Sequence, residues 1–261
     1  MKLSPMSRTF TKINLLFLLM AIMLSGCKKD EQNTSGFEDI QFPNENELSW
    51  DYPVKPGSDK WKTFQSYTEM VEALQIPSAI LTKLTTKELF LICLKYPLLM
   101  DIGASNFFPD GYASYEINCN GIKELYKRID APTMIYSYYR QQNLEYAKFS
   151  STISFVFQVS VIEYMLTASS VISQYSVAQR KEVAIELLSK LNIKKSQPGN
   201  FTNTYQNSTY LALIKIIKCD ETGKLPSDDA KLASYFADGF SAPESIIKQV
   251  DEMISKYMSG K

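Results

Sequence analysis

Apolar residues recur at three- and four-residue spacing along most of the chain beyond Trp61, the period of an amphipathic helix. Leu89, Ile92, Cys93 and Tyr96 form one stripe, Ala184, Leu187, Leu188 and Leu191 a second, and Ile247, Val250, Ile254 and Tyr257 a third. Helix starts are marked as well. Ser66-Tyr67-Thr68-Glu69, Thr85-Thr86-Lys87-Glu88, Ser176-Val177-Ala178-Gln179 and Ser241-Ala242-Pro243-Glu244 all set a hydroxyl three residues before Glu or Gln. The hydroxyl can accept an orphan N–H while the longer side chain reaches back. Pro77 and Pro132 suit a first helical turn, where a missing N–H is tolerated, and Pro97 closes the helix that opens after Thr85. The pattern predicts an all-α fold, a single irregular multi-helix bundle of about eight to ten short helices over 61–261. Its caps fall at uneven intervals, so no repeat is indicated.

One stretch runs against this period. Ile153, Phe155, Phe157, Val159 and Val161 alternate with Ser154, Gln158 and Ser160, as in a strand. No second strand of similar strength is there to pair with, and an isolated strand leaves its backbone unsatisfied. Residues 144–173 are therefore expected to be helical, with 152–168 a central helix buried on most sides. Glu163 within it argues against a membrane span.

The first 26 residues read as a processing segment. Lys2, Arg8 and Lys12 precede a ten-residue apolar run from Leu15 to Leu24, too short to span a bilayer. Leu24-Ser25-Gly26-Cys27 then resembles a bacterial lipobox, which implies cleavage before Cys27 and acylation of its sulfur, palmitate included. Two or three acyl chains anchor stably where one does not. Lys28-Lys29-Asp30-Glu31 resembles the Lys-then-acidic export signal of surface lipoproteins in Bacteroidota. That implies the outer membrane and the cell exterior, with a periplasm-facing body as the alternative. Residues 27–60, rich in turn residues such as Pro43-Asn44, Pro53 and Pro56-Gly57-Ser58, read as the lipidated cysteine and a flexible linker. Such a linker has an end-to-end distance of roughly 30 Å. Trp50 and Tyr52 are the residues expected to fold back onto the body.

Composition removes several chemistries. Among 261 residues there is no histidine, which excludes Ser-His-Asp and Cys-His catalysis and every His-ligated metal. Lys+Arg and Asp+Glu both number 28, which argues against a nucleic-acid partner. Loss of residues 1–26 leaves a net charge of −3, with no polybasic patch for anionic lipid. Once Cys27 is acylated three cysteines remain, Cys93, Cys119 and Cys219, so a four-thiolate zinc site is impossible. An exported chain permits disulfides. Cys93 and Cys119 are the candidate pair, with buried free thiols as the other reading.

Candidate sites are few. Ser245-Ile246-Ile247-Lys248 has Ser-x-x-Lys spacing but lacks the companion elements of that chemistry. Asp220-Glu221 and Asp228-Asp229 lack EF-hand spacing, and Ser227-Asp228-Asp229 also reads as a helix cap. No cofactor and no metal is expected. Tyr136, Tyr139 and Arg140 share a helix face, with Tyr138 turned elsewhere and Tyr146 nearby. Exposed tyrosines beside arginine would suit stacking on a sugar or peptide, and core-edge tyrosines are the plainer reading. Glu116, Glu124, Glu145, Glu163 and Glu186 all lie in helical text, where two could converge as the carboxylate pair of a glycan hydrolase.

The body also resembles a group of Bacteroidota lipoproteins of no assigned activity. The likeness rests on Trp61, Tyr67-Thr68-Glu69-Met70, Gln75-Ile76-Pro77, Leu81, Thr85-Thr86, Cys93-Leu94-Lys95-Tyr96-Pro97, Asn120-Gly121, Glu124-Leu125 and Arg128, over residues 58–131. It implies the anchor and the helical body and carries no catalytic residue across. The functional expectation is a non-catalytic, membrane-anchored binding module for a protein, peptide or glycan. A carboxylate-based hydrolase and a periplasmic assembly factor are the alternatives.

Overall fold

Helix starts are capped much as their local text predicts. Thr85 Oγ1 accepts from the Glu88 N–H while the Glu88 carboxylate accepts from the Thr85 N–H, and Ser176 and Gln179 form the same reciprocal pair. Ser66 Oγ accepts from the Glu69 N–H, but Glu69 reaches one residue further back, to the Gln65 N–H at 2.8 Å. At the fourth box the N-cap is Pro243 and not Ser241. These features belong to a computed structural model that describes residues 37, 40–105, 108–145, 152–222 and 242–260. The leader, Cys27, the Lys28–Glu31 signal, Tyr146, Asp228 and Asp229 lie outside the described residues.

In chain order the α-helices are α1 (Asp59–Lys62), α2 (Tyr67–Ala73), α3 (Ser78–Leu81), α4 (Thr86–Leu94), α5 (Phe108–Asn118), α6 (Asn120–Leu125), α7 (Ala131–Gln141), α8 (Thr152–Leu166), α9 (Ser169–Ile172), α10 (Val177–Ser196), α11 (Asn203–Thr222) and α12 (Glu244–Ser259). Single 3₁₀ turns stand at Glu45–Glu47 and Leu99–Ala104. The fold is all-α, with no strand among the described residues. Helices outnumber the expected eight to ten because α1, α3 and α9 are four residues each, too short to show a period.

Two helices are buried on nearly every side. In α4 all six residues from Leu89 to Leu94 are core, a wider face than the Leu89-Ile92-Cys93 stripe suggested. In α8 every residue from Val159 to Leu166 is buried. That explains its strand-like text, since a helix covered all round needs no polar face. Helix α7 packs against both, α6 packs on α4, and α11 packs on α8, α10 and α12. Contacts from Arg180 to Asp220 and from Lys194 to Thr209 show that α10 and α11 run antiparallel.

A closed polar network sits where α7, α8, α10 and α11 meet. Glu163 and Lys194 have no exposed surface, and Lys194 Nζ lies 2.9 and 3.0 Å from the two Glu163 oxygens. Its remaining protons go to Tyr205 O and Thr209 Oγ1, both at 2.8 Å. Glu163 also accepts from Tyr139 OH at 2.8 Å, Thr209 Oγ1 at 2.9 Å and Ser208 Oγ at 2.5 Å. Burial lowers the Lys194 ammonium from its ordinary value, with Glu163 opposing it. With all groups partnered, the network holds four helices in one register.

The chain ahead of α1 does not hang free over its whole expected length. Phe37, Ile40 and Tyr52 are buried, and Phe42, Leu48 and Trp50 pack against the core. Phe37 lies on Tyr136 with ring centroids 4.2 Å apart, and Phe42 meets Phe90 and Tyr138. Gln141 Nε2 donates to Ile40 O, Lys87 Nζ to Gln41 O, and the Ser49 N–H to Glu88 Oε1. Phe37 and residues 40–52 are thus a strap across α4 and α7, which shortens the expected linker of 27–60, while Trp50 and Tyr52 fold back as expected. Two residues of the quoted likeness have structural work here. Asn120 bonds both the N–H and the carbonyl of Ile76, and Arg128 donates to Leu84 O and Leu81 O.

Candidate functional site

The tyrosine–arginine face predicted for ligand contact is not open. Tyr136 is 2% exposed and lies under Phe37, and Tyr139 is 0% exposed with its hydroxyl committed to Glu163. Arg140 pairs with Glu182 at 3.7 Å and its guanidinium covers the Tyr136 ring. Burial pushes both phenols well up from their ordinary value. The face is core, and it is corrected as a stacking surface.

The candidate disulfide is not formed either. Cys93, Cys119 and Cys219 are all buried free thiols. Cys93 and Cys119 stand side by side: a methyl added at Gly121 would meet their sulfurs at 3.0 and 3.6 Å. Burial drives the Cys93 thiol well up. Burial also acts to raise Cys119, but hydrogen bonds from Cys93 and from the Ile122 and Gly121 N–H groups outweigh it and bring it below the usual thiol value.

The helical glutamates do not assemble a pair. Glu163 is locked in the core, Glu124 sits 3.6–3.8 Å from Lys127 and Arg128, Glu186 is 3.0 Å from Lys190, and Glu145 is exposed. Glu116 is half-buried, and burial raises its carboxyl while Lys215 opposes. Ser245 and Lys248 lie exposed on α12. Asp220 is held by Arg180 and by Tyr257 OH. Among the described residues no group of three or more Cys, Asp or Glu could hold a metal.

A cavity of about 240 Å³ opens elsewhere, between α2, the segment after α4 and α5. Its aromatic walls are Tyr67, Tyr96 and Tyr115, its apolar floor is Leu98, Ile102 and Ala104, and its polar rim is Asp101, Ser105 and Ser114. Local sequence builds it. Pro97 ends α4 and releases the chain into the 3₁₀ turn that carries Asp101. Gly111 lets α5 press on that turn, since a Cβ there would lie 2.2 Å from Ile102 O. Tyr115 OH donates to Cys93 O at 3.0 Å, which fixes the rear wall to α4. Tyr96 packs between Tyr115 and the strap's Tyr52, with centroids 5.5 and 5.8 Å away.

Two polar groups in this cavity lack partners among the described residues. Tyr96 is 3% exposed and its hydroxyl has no hydrogen bond. Burial pushes that phenol well up, and Cys119, Tyr67 and Asp101 add to the rise. Asp101 makes no ion pair, and partial burial raises its carboxyl above the ordinary value. Of the lining tyrosines, Tyr67 is 46% exposed. Sequence reading touched Tyr67 in a capping box and Tyr96 in an apolar stripe but passed over Asp101. The available signal was a lone acid inside the apolar run Leu98 to Ala104.

A second cavity of about 510 Å³ lies where α10 begins and α11 and α12 end, lined by Arg180, Lys181, Cys219, Asp220, Lys256 and Tyr257 among others. Its central charges neutralise each other through Arg180 and Asp220. No protein-family model, curated protein or solved structure matches this chain.

Proposed function

We propose that the protein is a lipid-anchored outer-membrane lipoprotein, tethered through Cys27 and displayed on the cell exterior, that acts as a non-catalytic binding module. The cavity between α2 and α5 is its ligand site. One observation carries this reading: among the described residues, three tyrosines and one carboxylate, Asp101, line a single cavity. Hydrolysis by two carboxylates needs a second acid about 5–10 Å away, and among the described residues Asp101 is the sole carboxylate in the lining. A cavity of 240 Å³ is below the range for drug-sized ligands, so it suits one small group or the tip of a larger partner. The likeness to Bacteroidota lipoproteins and the lipobox-like Leu24-Ser25-Gly26-Cys27 support the anchor and the address.

Two experiments test it. Ligand-observed NMR with monosaccharides, dipeptides and small amines is expected to detect binding that Tyr67→Ala weakens; no binding by any class would end the module reading. Radiolabelled palmitate should be incorporated by the native chain and not by Cys27→Ala. Protease shaving of intact cells should remove the body, whereas full protection would move it to the periplasmic side.

A further inference from the structure

Resting on the reading of this cavity as a ligand site, we propose that its ligand group is a primary ammonium on a short aliphatic stem. The chemistry of the walls selects that group. Asp101 is an acid without a cation, and no Lys or Arg is among the lining residues. An anionic ligand would meet only repulsion there. A neutral sugar would leave this exposed carboxylate to water, whereas an ammonium can pair with it through charge-assisted hydrogen bonds.

The other walls agree. Tyr67, Tyr96 and Tyr115 line the same cavity, and aromatic rings attract cations at close range. The exposed Ser105 hydroxyl can accept a second ammonium N–H. Leu98, Ile102 and Ala104 give methylenes an apolar bed. A metal ion would instead want several oxygen ligands, and this lining offers one carboxylate.

Such an ammonium can come from a free amine or from a lysine side chain of a partner protein. The test uses the full mature chain with its anchor in detergent micelles, titrated by calorimetry or NMR. The probes are 1,5-diaminopentane, Nα-acetyl-lysine methylamide, its Nε-acetylated form, 1-pentanol and glucose. Both amines are expected to bind at least about tenfold more tightly than pentanol, glucose or the acetylated lysine. Asp101→Asn should remove at least that factor, and Tyr67→Ala should weaken binding while Tyr67→Phe retains it. Binding should also weaken in acid, starting at a pH above that at which a free aspartate protonates. A tighter diamine identifies a free amine as the source, and a tighter lysine derivative a partner's side chain. Neutral probes that match the amines, or full affinity in Asp101→Asn, would overturn the ammonium assignment and leave the binding module standing. No binding by any probe would remove both.

Discussion

Replacing Lys194 by Met tests whether the Glu163–Lys194 network is what fixes the packing of α7, α8, α10 and α11. Methionine fills similar volume, so the change deletes an ammonium and little packing. Four hydrogen-bond contacts disappear, to both Glu163 oxygens, Tyr205 O and Thr209 Oγ1. Glu163 is left 0% exposed without a counter-charge. Removing one partner of a buried pair costs roughly 3–5 kcal/mol. Here Tyr139, Ser208 and Thr209 still donate to the carboxylate, so the lower half of that range applies. For a body of this size about 3–4 kcal/mol is a fall of ~6–16 °C in Tm. Urea denaturation followed by circular dichroism measures it directly. The companion Glu163→Met costs a similar amount, but the double variant removes both charges and is expected to lie within about 1 kcal/mol of the worse single. Single losses that simply add, or a Lys194→Met loss below ~1 kcal/mol, would refute the network as the element holding these helices together.

Other outcomes follow from the strap and the cavity. Glu88 is held down to about 2 by hydrogen bonds from Ser49 and Thr85, against a reference value of 4.5. Its depressed value means stability that is present above the unfolded value and lost as pH falls through about 2. In Glu88→Gln the urea midpoint should therefore fall less steeply from pH 4.5 to pH 2 than in the native chain, and an unchanged slope would contradict the bond to the strap. Gly111→Ala puts a methyl 2.2 Å from Ile102 O, so backbone must move; a loss of about 1–3 kcal/mol is expected, with altered chemical shifts at Asp101 by NMR. Phe37→Ala uncovers Tyr136 and should cost near the lower end of the roughly 3–5 kcal/mol seen for Phe→Ala in cores. In the same variant, limited proteolysis should cut the strap ahead of the helices.

What was legible in the sequence was local. The Thr85–Glu88 and Ser176–Gln179 caps could be read because partners three residues apart decide them, and the helical character of 152–166 because no strand existed to compete. Tyr136 and Tyr139 were misjudged for the opposite reason. Their spacing announces a shared face, but the residue that covers it, Phe37, comes from about a hundred positions upstream. Glu163 could be seen as a helical acid, yet its commitment to Lys194 required knowing that α10 returns past α8. The cavity is least legible of all. Tyr67, Tyr96, Asp101 and Tyr115 belong to four successive segments, and only the close approach allowed by Gly111 turns them into walls.

The strap changes what the proposed anchor can do. Free chain from Cys27 to residue 60 would allow a reach of roughly 110 Å at full extension, whereas ten residues separate Cys27 from the buried Phe37, at most about 35 Å. The route by which load enters is also set. Tension from the membrane reaches Phe37 on Tyr136 first, then Ile40 at Gln141, Gln41 at Lys87 and Ser49 at Glu88. Only behind those contacts lie Trp50 and Tyr52, and Tyr52 packs against Tyr96. The wall of the cavity is thus the last point along the strap to be disturbed, behind the buried Phe37 ring and three hydrogen bonds.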